Sequence, residues 1–384
     1  MTDETITSTP GTDILADAQP VLVLQGGGAL GSYQVGAFEA LCACNFAPQW
    51  VAGISIGAIN AALIAGNTPD NRHERLTAFW DKVSSQTTLP GVPWFKDDGV
   101  RVAVNEWNAG LIMLAGVPGF FKPRFPPIPF QSPDDLTALS FYDTSPLLET
   151  LEEMVDFKLI NSKEGVRISV GAVNVATGEQ IYFDNKGDKP TEIGPEHIMA
   201  SAALPPGFPA VKIGKDYFWD GGLISNTPLD HVLKHKGQDN LLIFQLDLFS
   251  ARGVLPTSLG EIAEREKDIR FASRTEINTK KNTNLYNAGQ RPPSGRRLAG
   301  TGTPGAPAEG SVTVIHLTYH SALPEVASRD YNFSPMVIAE HRSAGRRDIE
   351  RVVGCRDRIK PPRKDETMVV YELTQDDKDP LKRA

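Results

Sequence analysis

Hydrophobic positions in the N-terminal part of the chain follow two alternating patterns. The continuous apolar run at residues 21–25 is typical of a parallel strand that is buried on both faces. Apolar residues then recur at helical spacing over residues 32–44, and a second strand pattern at 50–54 leads into an alanine-rich helix pattern at 56–65. Two strand-turn-helix units in succession predict a parallel βαβ unit with a right-handed connection.

The same alternation of strands and helices continues towards the middle of the chain. Alternating strands and helices predict one large α/β domain with a mainly parallel sheet. Beyond the first unit, the pattern predicts strands at 167–175, 180–183 and 241–246, and helices at 72–83, from Ser145, at 196–203 and at 229–236.

Two internal segments depart from this pattern. Residues 89–133 combine seven Trp or Phe residues with many prolines, and they predict an apolar, lid-like insertion without regular core spacing. Residues 289–310 are rich in Gly and Pro and predict a disordered loop. The predicted organisation is a disordered leader at 1–19, the main domain at 20–285, a Gly/Pro-rich loop at 286–311 and a C-terminal extension at 312–384, with a strand at 312–317 and a helix at 335–353.

The composition argues against several classes of function. The 384 residues carry a formal charge of −8, from 39 basic and 47 acidic residues, so we expect no nucleic-acid partner. The three cysteines form neither a disulfide framework nor a metal-ligand set, which fits a reducing cytoplasm. No apolar run reaches the roughly 20 residues that span a bilayer, so any membrane contact is predicted to be peripheral.

A basic segment near the C-terminus contrasts with the acidic balance of the whole chain. Residues 342–364 carry nine Lys or Arg residues against three acids. Clustered basic residues are attracted to anionic lipid surfaces, and salt screens this attraction. The alternative is a solvated helix whose charges pair with acids elsewhere in the fold. The expectation is a cytoplasmic protein with peripheral contact to the inner face of the membrane.

The candidate chemistry centres on Ser55, which stands between Gly53 and Gly57 where the second strand meets its helix. Such a G-x-S-x-G turn exposes a nucleophile in many hydrolases, but glycine and serine also suit any tight turn. The preceding turn, QGGGALG, has the spacing of a dinucleotide site, yet that site needs an acidic residue where Ile54 and Ser55 stand. The other interpretation is an oxyanion hole made by glycine amides at a helix N-terminus.

The local pattern leaves open which residue would activate the serine. In an α/β-hydrolase the base is a histidine late in the chain, but here a single strand precedes the serine strand and no histidine has a distinctive setting. Asp220 is a further candidate, because WDGG follows a strand-like segment and allows a sharp turn, although a plain Asp-Gly turn has the same sequence. The histidine candidates are His197, His231, His235, His316, His320 and His341.

Three blocks of sequence together resemble one family. GGGALG, GISIG and ASAALPPGFPAVKIGKDYFWDGGLISNTP stand in the order and spacing of the bacterial patatin-like lipid acyl hydrolases, over about residues 21–246. After Gly310, RDYNFSPMVI and RSAGRRDIE resemble an uncharacterised C-terminal extension that some bacterial members carry. Leu30 departs from the pattern, because many members carry Arg or Lys there, and this weakens the expectation of a phosphate contact.

The resemblance implies a three-layer α/β fold with a central mainly parallel sheet and a strand-turn-helix nucleophile elbow. It implies a Ser-Asp dyad that cleaves carboxylic esters of phospholipids or lysophospholipids through an acyl-serine intermediate and requires no histidine. No cofactor is expected, and no metal is expected because no cluster of His, Asp or Glu has the spacing of metal ligands. Gly27 and Gly28 would form the core of the oxyanion hole. The implied site residues are the catalytic Ser55 and Asp220, the oxyanion-hole residues Gly26, Gly27 and Gly28, the elbow residues Gly53 and Gly57, and Gly221 and Gly222 after the aspartate.

Three other functions stay open from the sequence. An acyltransferase would pass the acyl group to an alcohol or thiol instead of water, and an esterase would act on acyl esters other than phospholipids. A lipid-binding protein on the same fold would leave the dyad unused. Only an activated serine reacts with a fluorophosphonate, which separates an enzyme from a binding protein.

Overall fold

The computed structural model describes residues 18–84, 110, 112–126, 135–187, 189–288, 310–320, 329–363, 365–376 and 379–384. Residues 1–17 of the predicted leader, most of the predicted Gly/Pro-rich loop and much of the predicted insertion lie outside the described residues. The predicted domain boundaries therefore stay predictions.

The strands form one large sheet and one small ribbon. They are β1 (Gln19–Leu24), β2 (Trp50–Gly53), β3 (Lys122–Pro123), β4 (Tyr142–Asp143), β5 (Arg167–Asn174), β6 (Gln180–Asp184), β7 (Val211–Ile213), β8 (Asp216–Asp220), β9 (Leu241–Asp247), β10 (Val312–Thr318), β11 (Met368–Leu373) and β12 (Leu381–Arg383). Within the described residues, ten strands form the sheet in the order β12-β11-β10-β9-β1-β2-β5-β8-β7, with β6 paired to β5, while β3 and β4 form the ribbon. The successive pairs β11-β10, β10-β9, β9-β1, β1-β2 and β2-β5 are all parallel.

The helices connect these strands and cover both faces of the sheet. They are α1 (Ser32–Ala43), α2 (Ile56–Ala65), α3 (Arg72–Ser84), α4 (Ser145–Met154), α5 (Phe157–Ile160), α6 (Pro195–Ser201), α7 (Leu229–Lys234), α8 (Leu259–Asn287) and α9 (Pro335–Gly354). Short 3-10 turns lie at Gly28–Gly31 and Gly221–Leu223.

Strand β1 explains why the fold has three layers. Successive side chains of a strand point to opposite faces of the sheet. Leu22 and Leu24 pack in one hydrophobic cluster with residues of α1, α2, α3 and α9, whereas Val21 and Val23 pack in a second cluster with residues of α7 and with Tyr286 of α8. Helices therefore enclose the sheet from both sides, and the predicted three-layer α/β fold is confirmed.

Strands β2 and β8 share one edge of β5. Val170 pairs with Gly53 of β2 on one side and with β6 on the other. Ala172 pairs with Asp220 of β8 and, again, with β6. Because a strand has two edges and β6 occupies one, β2 and β8 lie end to end along the other. The end of β2, which leads into Ser55, therefore meets the end of β8.

The C-terminal region continues the same sheet. β10 pairs with β9, and β11 and β12 extend the sheet beyond it. Helix α9 crosses α1 at close range, because a Cβ atom on Gly345 would lie 1.9 Å from the Tyr33 carbonyl and one on Gly36 would lie 1.8 Å from the Arg342 carbonyl. The predicted extension is thus built into the main sheet.

Part of the basic C-terminal charge is paired within the fold. Arg342 and Arg346 both contact Glu39, and Arg358 contacts Asp379. This agrees in part with the alternative of a helix paired to acids elsewhere. Among the described residues, no helix combines the length and the apolar character that crossing a membrane requires.

Candidate active site

Ser55 occupies a sharp turn between β2 and α2. Its backbone has φ 57° and ψ −126°, a combination that a non-glycine residue adopts rarely and only where the surrounding structure holds it. Its N–H donates to Ser201 Oγ at 3.1 Å. The flanking glycines are sterically required, because a Cβ on Gly57 would lie 2.5 Å from the Leu24 carbonyl oxygen and one on Gly53 would lie 2.2 Å from the Gly57 carbonyl oxygen. The predicted elbow geometry is present.

Asp220 ends β8 and is 2% exposed. Its Oδ1 accepts the Gly222 N–H at 2.7 Å, and both Asp220 and Ser55 line the same cavity. Burial raises the pKa of Asp220 to about 6, although the neighbouring Ser55 side chain and the Gly222 N–H lower it. Gly221 is required behind the aspartate, because a Cβ there would lie 2.5 Å from the Gly171 carbonyl oxygen. The structure therefore brings the two predicted catalytic residues together.

Asn226 links the aspartate loop to the glycine turn. Its Nδ2 donates to the Gly26 carbonyl oxygen at 2.8 Å, across 200 residues of sequence. The main-chain carbonyl oxygen of Asn226 accepts the Gly26 N–H at 3.2 Å. The Gly26 N–H is thus already used in a hydrogen bond and is not available to an oxyanion. Of the three predicted donors, the N–H groups of Gly27 and Gly28 remain. Asn226 lies in the third resembling block, but its partner could not be derived from local sequence.

A buried polar network holds the glycine turn in place. Gln25 Oε1 accepts the N–H groups of Leu248 and Phe249 at 2.6 and 3.1 Å, and Gln34 Nε2 donates to the Gln25 carbonyl at 2.6 Å. Within the described part of the chain, the N–H groups of Gly27 and Gly28 make no hydrogen bond to a protein acceptor. They lie at the start of a 3-10 turn, where an N–H group can stabilise a negative charge.

A cavity of about 90 Å³ opens at these residues. Its polar part contains Ser55, Asp220, Asn226, Asp330 and the Gly26–Gly28 turn. The rest is apolar and mainly aromatic, and its aromatic lining consists of Phe120, Phe121, Phe208, Phe249, Phe271, Tyr331 and Phe333. A nucleophile candidate therefore faces an apolar chamber that could hold a hydrocarbon chain.

Two aromatic residues of the predicted insertion belong to the core. Phe120 and Phe121 are 5% and 4% exposed, and their rings contact Phe208 at centroid distances of 5.8 and 5.1 Å. The expectation that this segment lacks core packing is wrong for these two residues, because both belong to the main hydrophobic cluster. Phe125 is 92% exposed. Trp94, Phe95, Trp107 and Phe130 lie outside the described residues.

All seven histidines lie in the described part of the chain, and none lines the cavity. His231, for example, pairs with Asp184 at 3.0 Å near the other end of the sheet, and His316 pairs with Asp247 at 2.6 Å. Across the described residues, no group of His, Cys, Asp and Glu side chains is arranged to hold a metal ion. Asp220 is the titratable side chain next to Ser55.

Comparison with known families agrees with this geometry. A family profile described as patatin-like phospholipase matches residues 22–233, which is more than half of the chain. The chain belongs to the patatin-like phospholipase family. A second profile, described as patatin phospholipase, matches residues 306–365. The resemblance inferred from the three sequence blocks is thus confirmed, and the later match covers much of the C-terminal region.

Individual relatives are more distant. A cGAMP-activated phospholipase from Escherichia coli (strain TW11681) is 34% identical over 96 residues, which is 23% of this chain and 26% of that relative. The crystal structure of VipD from Legionella pneumophila is 14% identical with a TM-score of 0.32, covering 85% of this chain and 67% of that one. The type III effector protein ExoU is 13% identical with a TM-score of 0.34, covering 89% of this chain and 53% of that one.

Proposed function

We propose that the protein is a lipid acyl hydrolase that cleaves carboxylic esters of phospholipids or lysophospholipids by a Ser-Asp dyad. The observation that carries this proposal is the placement of Ser55 and the buried Asp220 side by side at the polar end of an aromatic-lined cavity. Membership of the patatin-like phospholipase family supports lipid ester hydrolysis in general. The dyad and the substrate class are the parts that need testing.

The first half of the reaction forms an acyl-serine. Asp220 accepts the hydroxyl proton as Ser55 Oγ attacks the ester carbonyl carbon, and the carbonyl electron pair moves to its oxygen. The amides of Gly27 and Gly28 stabilise that oxyanion. When the intermediate collapses, the ester C–O bond breaks, and protonated Asp220 returns the proton to the departing alcohol. The alcohol is a lysophospholipid or a glycerophospho alcohol, depending on the substrate.

The second half releases the fatty acid. Asp220 takes a proton from a water molecule as the water oxygen attacks the acyl carbon, and the same amides hold the new oxyanion. Collapse of this intermediate breaks the bond to Ser55 Oγ, which regains its proton from Asp220. A raised pKa suits this role, since a base is most effective when its pKa lies near the working pH.

The aromatic part of the cavity would bind the acyl chain. Each methylene group that it shields from water contributes about 0.8 kcal/mol, which favours long-chain esters over short ones. Phe120 and Phe121 support a wall at this place, since both are buried and line the cavity. We extend the proposal to residues 89–133 as a whole, which would form the acyl-chain wall or lid.

The lipid substrate also implies contact with a membrane surface. We propose peripheral contact at the cytoplasmic face, through exposed basic residues of the C-terminal region. Arg356, Lys360 and Arg363 are exposed, and clustered positive charges are attracted to anionic headgroups. The contact is expected to be weak, because other basic residues of the same segment are paired to acids.

A substrate panel tests the proposed function. Wild-type protein, Ser55→Ala, Asp220→Asn and the double variant would be assayed on a phospholipid, a lysophospholipid, a monoacylglycerol and a soluble short-chain ester. We expect hydrolysis of at least one phospholipid class by the wild type, and the same background rate for all three variants, because members of a catalytic unit are not additive. Alcohol and thiol acceptors added to the assay would reveal acyl transfer.

The outcomes separate the alternatives. Hydrolysis of the monoacylglycerol or short-chain ester alone would indicate an esterase, and acylated acceptor as the main product would indicate an acyltransferase. An inactive wild type that still binds phospholipid would support a binding protein. Unchanged activity of Ser55→Ala would contradict the dyad.

A further inference from the structure

We propose that Asp330, in the C-terminal region, is a positioning residue for the oxyanion loop, and that Lys267 of α8 holds Asp330 in place. This inference rests on the proposed function, and it assigns a role in the reaction to the segment that the second family profile matches. The segment concerned is 329–333, which is called the C-terminal strap below.

The first observation is a direct contact between the strap and the glycine turn. The Asp330 carbonyl oxygen accepts the N–H of Ala29 at 2.9 Å. The same oxygen would lie 2.1 Å from a Cβ atom on Gly28, whose φ is +56°. Gly28 is therefore needed both for its backbone conformation and for the close approach of the strap. The strap touches the loop at the two residues that follow Gly27.

This contact bears on the donors that would stabilise the oxyanion. Ala29 is the next residue after the proposed donors Gly27 and Gly28, so the hydrogen bond of its amide fixes the orientation of the peptide groups before it. An oxyanion hole works only when its donors lie about 2.7–3.1 Å from the developing charge. A small movement of the loop away from the serine would lengthen the hydrogen bonds from both the Gly27 and the Gly28 N–H groups to the oxyanion.

The strap also forms part of the cavity itself. Asp330, Tyr331 and Phe333 line it beside Ser55. The Phe333 ring contacts Phe120 at a centroid distance of 5.8 Å, and it stacks on Trp80 at 6.3 Å. The strap is thus packed between Phe120 of the proposed acyl-chain wall and Trp80 of α3, and these contacts limit its movement.

Lys267 supplies that hold. Its Nζ lies 2.8 Å from Asp330 Oδ1 and 2.9 Å from Glu264 Oε1, and it lies 4.9 Å from the centre of the Tyr331 ring. The side chains of Lys267 and Asp330 are only 23% and 14% exposed, so the solvent screens this pair weakly. Burial alone would lower the pKa of Lys267, but Asp330 and Glu264 outweigh it and raise that pKa above its ordinary value.

A second ion pair anchors the residue before Asp330. Arg329 Nε lies 3.2 Å from Glu264 Oε2, and its guanidinium also contacts Asp268. Two neighbouring strap residues are therefore tied to one face of α8. Since α8 also reaches the end of β1 through the hydrogen bond from Gln25 Nε2 to Thr275 Oγ1 at 3.3 Å, helix, strap and glycine turn form one connected unit.

The experiment compares Lys267→Met with a matched control on the same helix. Lys267→Met keeps the length of the side chain and removes its charge. The control is Lys280→Met, which removes an exposed lysine that pairs with Glu276 far from the strap. For each full-length variant we would measure kcat and KM on a soluble short-chain ester, the Ki of an alkylboronic acid, and Tm. The boronic acid forms a tetrahedral anion on the serine, so its affinity reports on the oxyanion hole.

We expect Lys267→Met to lower kcat by about 10- to 100-fold and to weaken boronic-acid binding by a similar factor, with KM changed less than threefold, since a small misplacement of a catalytic group has effects of this size. Lys280→Met should match the wild type. Lys267→Arg should recover most of the activity, and Asp330→Asn, which keeps the main-chain carbonyl, should show a smaller loss of the same kind.

Other outcomes would overturn the inference. A lower Tm with unchanged kcat and Ki would show that the ion pair only stabilises the fold. If Lys267→Met does not fold, Asp330→Asn and Lys267→Arg carry the test, and wild-type kcat and Ki in Asp330→Asn would then reject the role of Asp330. If Ser55→Ala is as active as the wild type, the proposed function is contradicted and this inference falls with it. If activity depends on Ser55 but Lys267→Met has wild-type kcat and Ki, only this inference is rejected.

Discussion

Ser55 and Asp220 line the same end of the cavity because the strands that lead to them lie end to end along the same edge of β5. Gly53 pairs with Val170, and Asp220 pairs with Ala172, two residues further along. The register of the sheet, rather than a flexible loop, thus sets the distance between the two side chains. A pair placed in this way needs little reorganisation during a reaction, which favours catalysis by a preorganised site.

The rate of hydrolysis should depend on the ionisation of Asp220. Because burial raises the pKa of Asp220 to about 6, the carboxylate that accepts the serine proton is lost as the pH falls through this value. We expect kcat/KM on a soluble ester to rise through about pH 6 and to level off above pH 7. A rising limb near pH 4, with full activity at pH 5, would contradict this role.

Asp220→Asn should stabilise the protein more at high pH than at low pH. The folded pKa of Asp220, about 6, lies above the ordinary value near 3.9, so the wild type loses stability as the pH rises between these values. The loss is at most about 3 kcal/mol, from roughly two pKa units at 1.36 kcal/mol each.

Urea unfolding at pH 4 and pH 8 would measure this effect. The difference in unfolding free energy, variant minus wild type, should be larger at pH 8. Asp70→Asn, at an exposed position, is the control and should show no such trend. A difference that is equal at both pH values would indicate that Asp220 does not carry a buried charge.

Gly57→Ala should destabilise the protein strongly. The added Cβ atom would lie 2.5 Å from the Leu24 carbonyl oxygen, and neither backbone segment can move without disturbing β1 or α2. We expect a loss of about 1–3 kcal/mol in the free energy of unfolding. The control is Gly354→Ala at the end of α9, where a Cβ atom meets nothing within 4 Å. Equal stability of the two variants would mean that the elbow is more open than described.

Membrane contact should be weak and sensitive to salt. We expect the protein to float with vesicles of anionic phospholipid at low salt, and less so at high salt, because salt screens the basic residues. Replacing Arg356, Lys360 and Arg363 together by Gln should reduce binding, whereas zwitterionic vesicles should bind both proteins poorly. Charge substitution is the better test than truncation, since truncation would remove β11 from the sheet. Equal binding of the variant would exclude this patch.

Local periodicity was sufficient to predict the elements around Ser55. The strand at 50–54 and the helix at 56–65 were predicted from short apolar patterns, and they appear as Trp50–Gly53 and Ile56–Ala65. Helix Leu259–Asn287 was not predicted, because it buries several polar side chains and exposes several apolar ones, the reverse of the usual pattern. Thr275, Thr279 and Asn282 are buried, whereas Ile262, Ile269 and Ile277 are exposed.

Contacts between distant residues were beyond the sequence patterns. The three blocks indicated Ser55 and Asp220 through resemblance. Nothing in the local sequence indicates that Asn226 would accept the hydrogen bond of the Gly26 N–H. The contact from Asp330 to the glycine turn has the same character, since it depends on how the C-terminal region folds back over α8. Strand Met368–Leu373 was also not predicted, although its sequence contains an apolar run that is typical of a buried strand.

The rate at which a fluorophosphonate labels Ser55, mapped by peptide mass spectrometry, tests the Ser-Asp dyad most directly. The probe reacts only with an activated serine, and it does not depend on knowing the lipid substrate. We predict that the wild type is labelled at Ser55 and that Asp220→Asn, although folded, is labelled at least about 100-fold more slowly, as expected when a base is removed. Labelling of Asp220→Asn at the wild-type rate, or labelling of the wild type at another residue, would contradict the dyad.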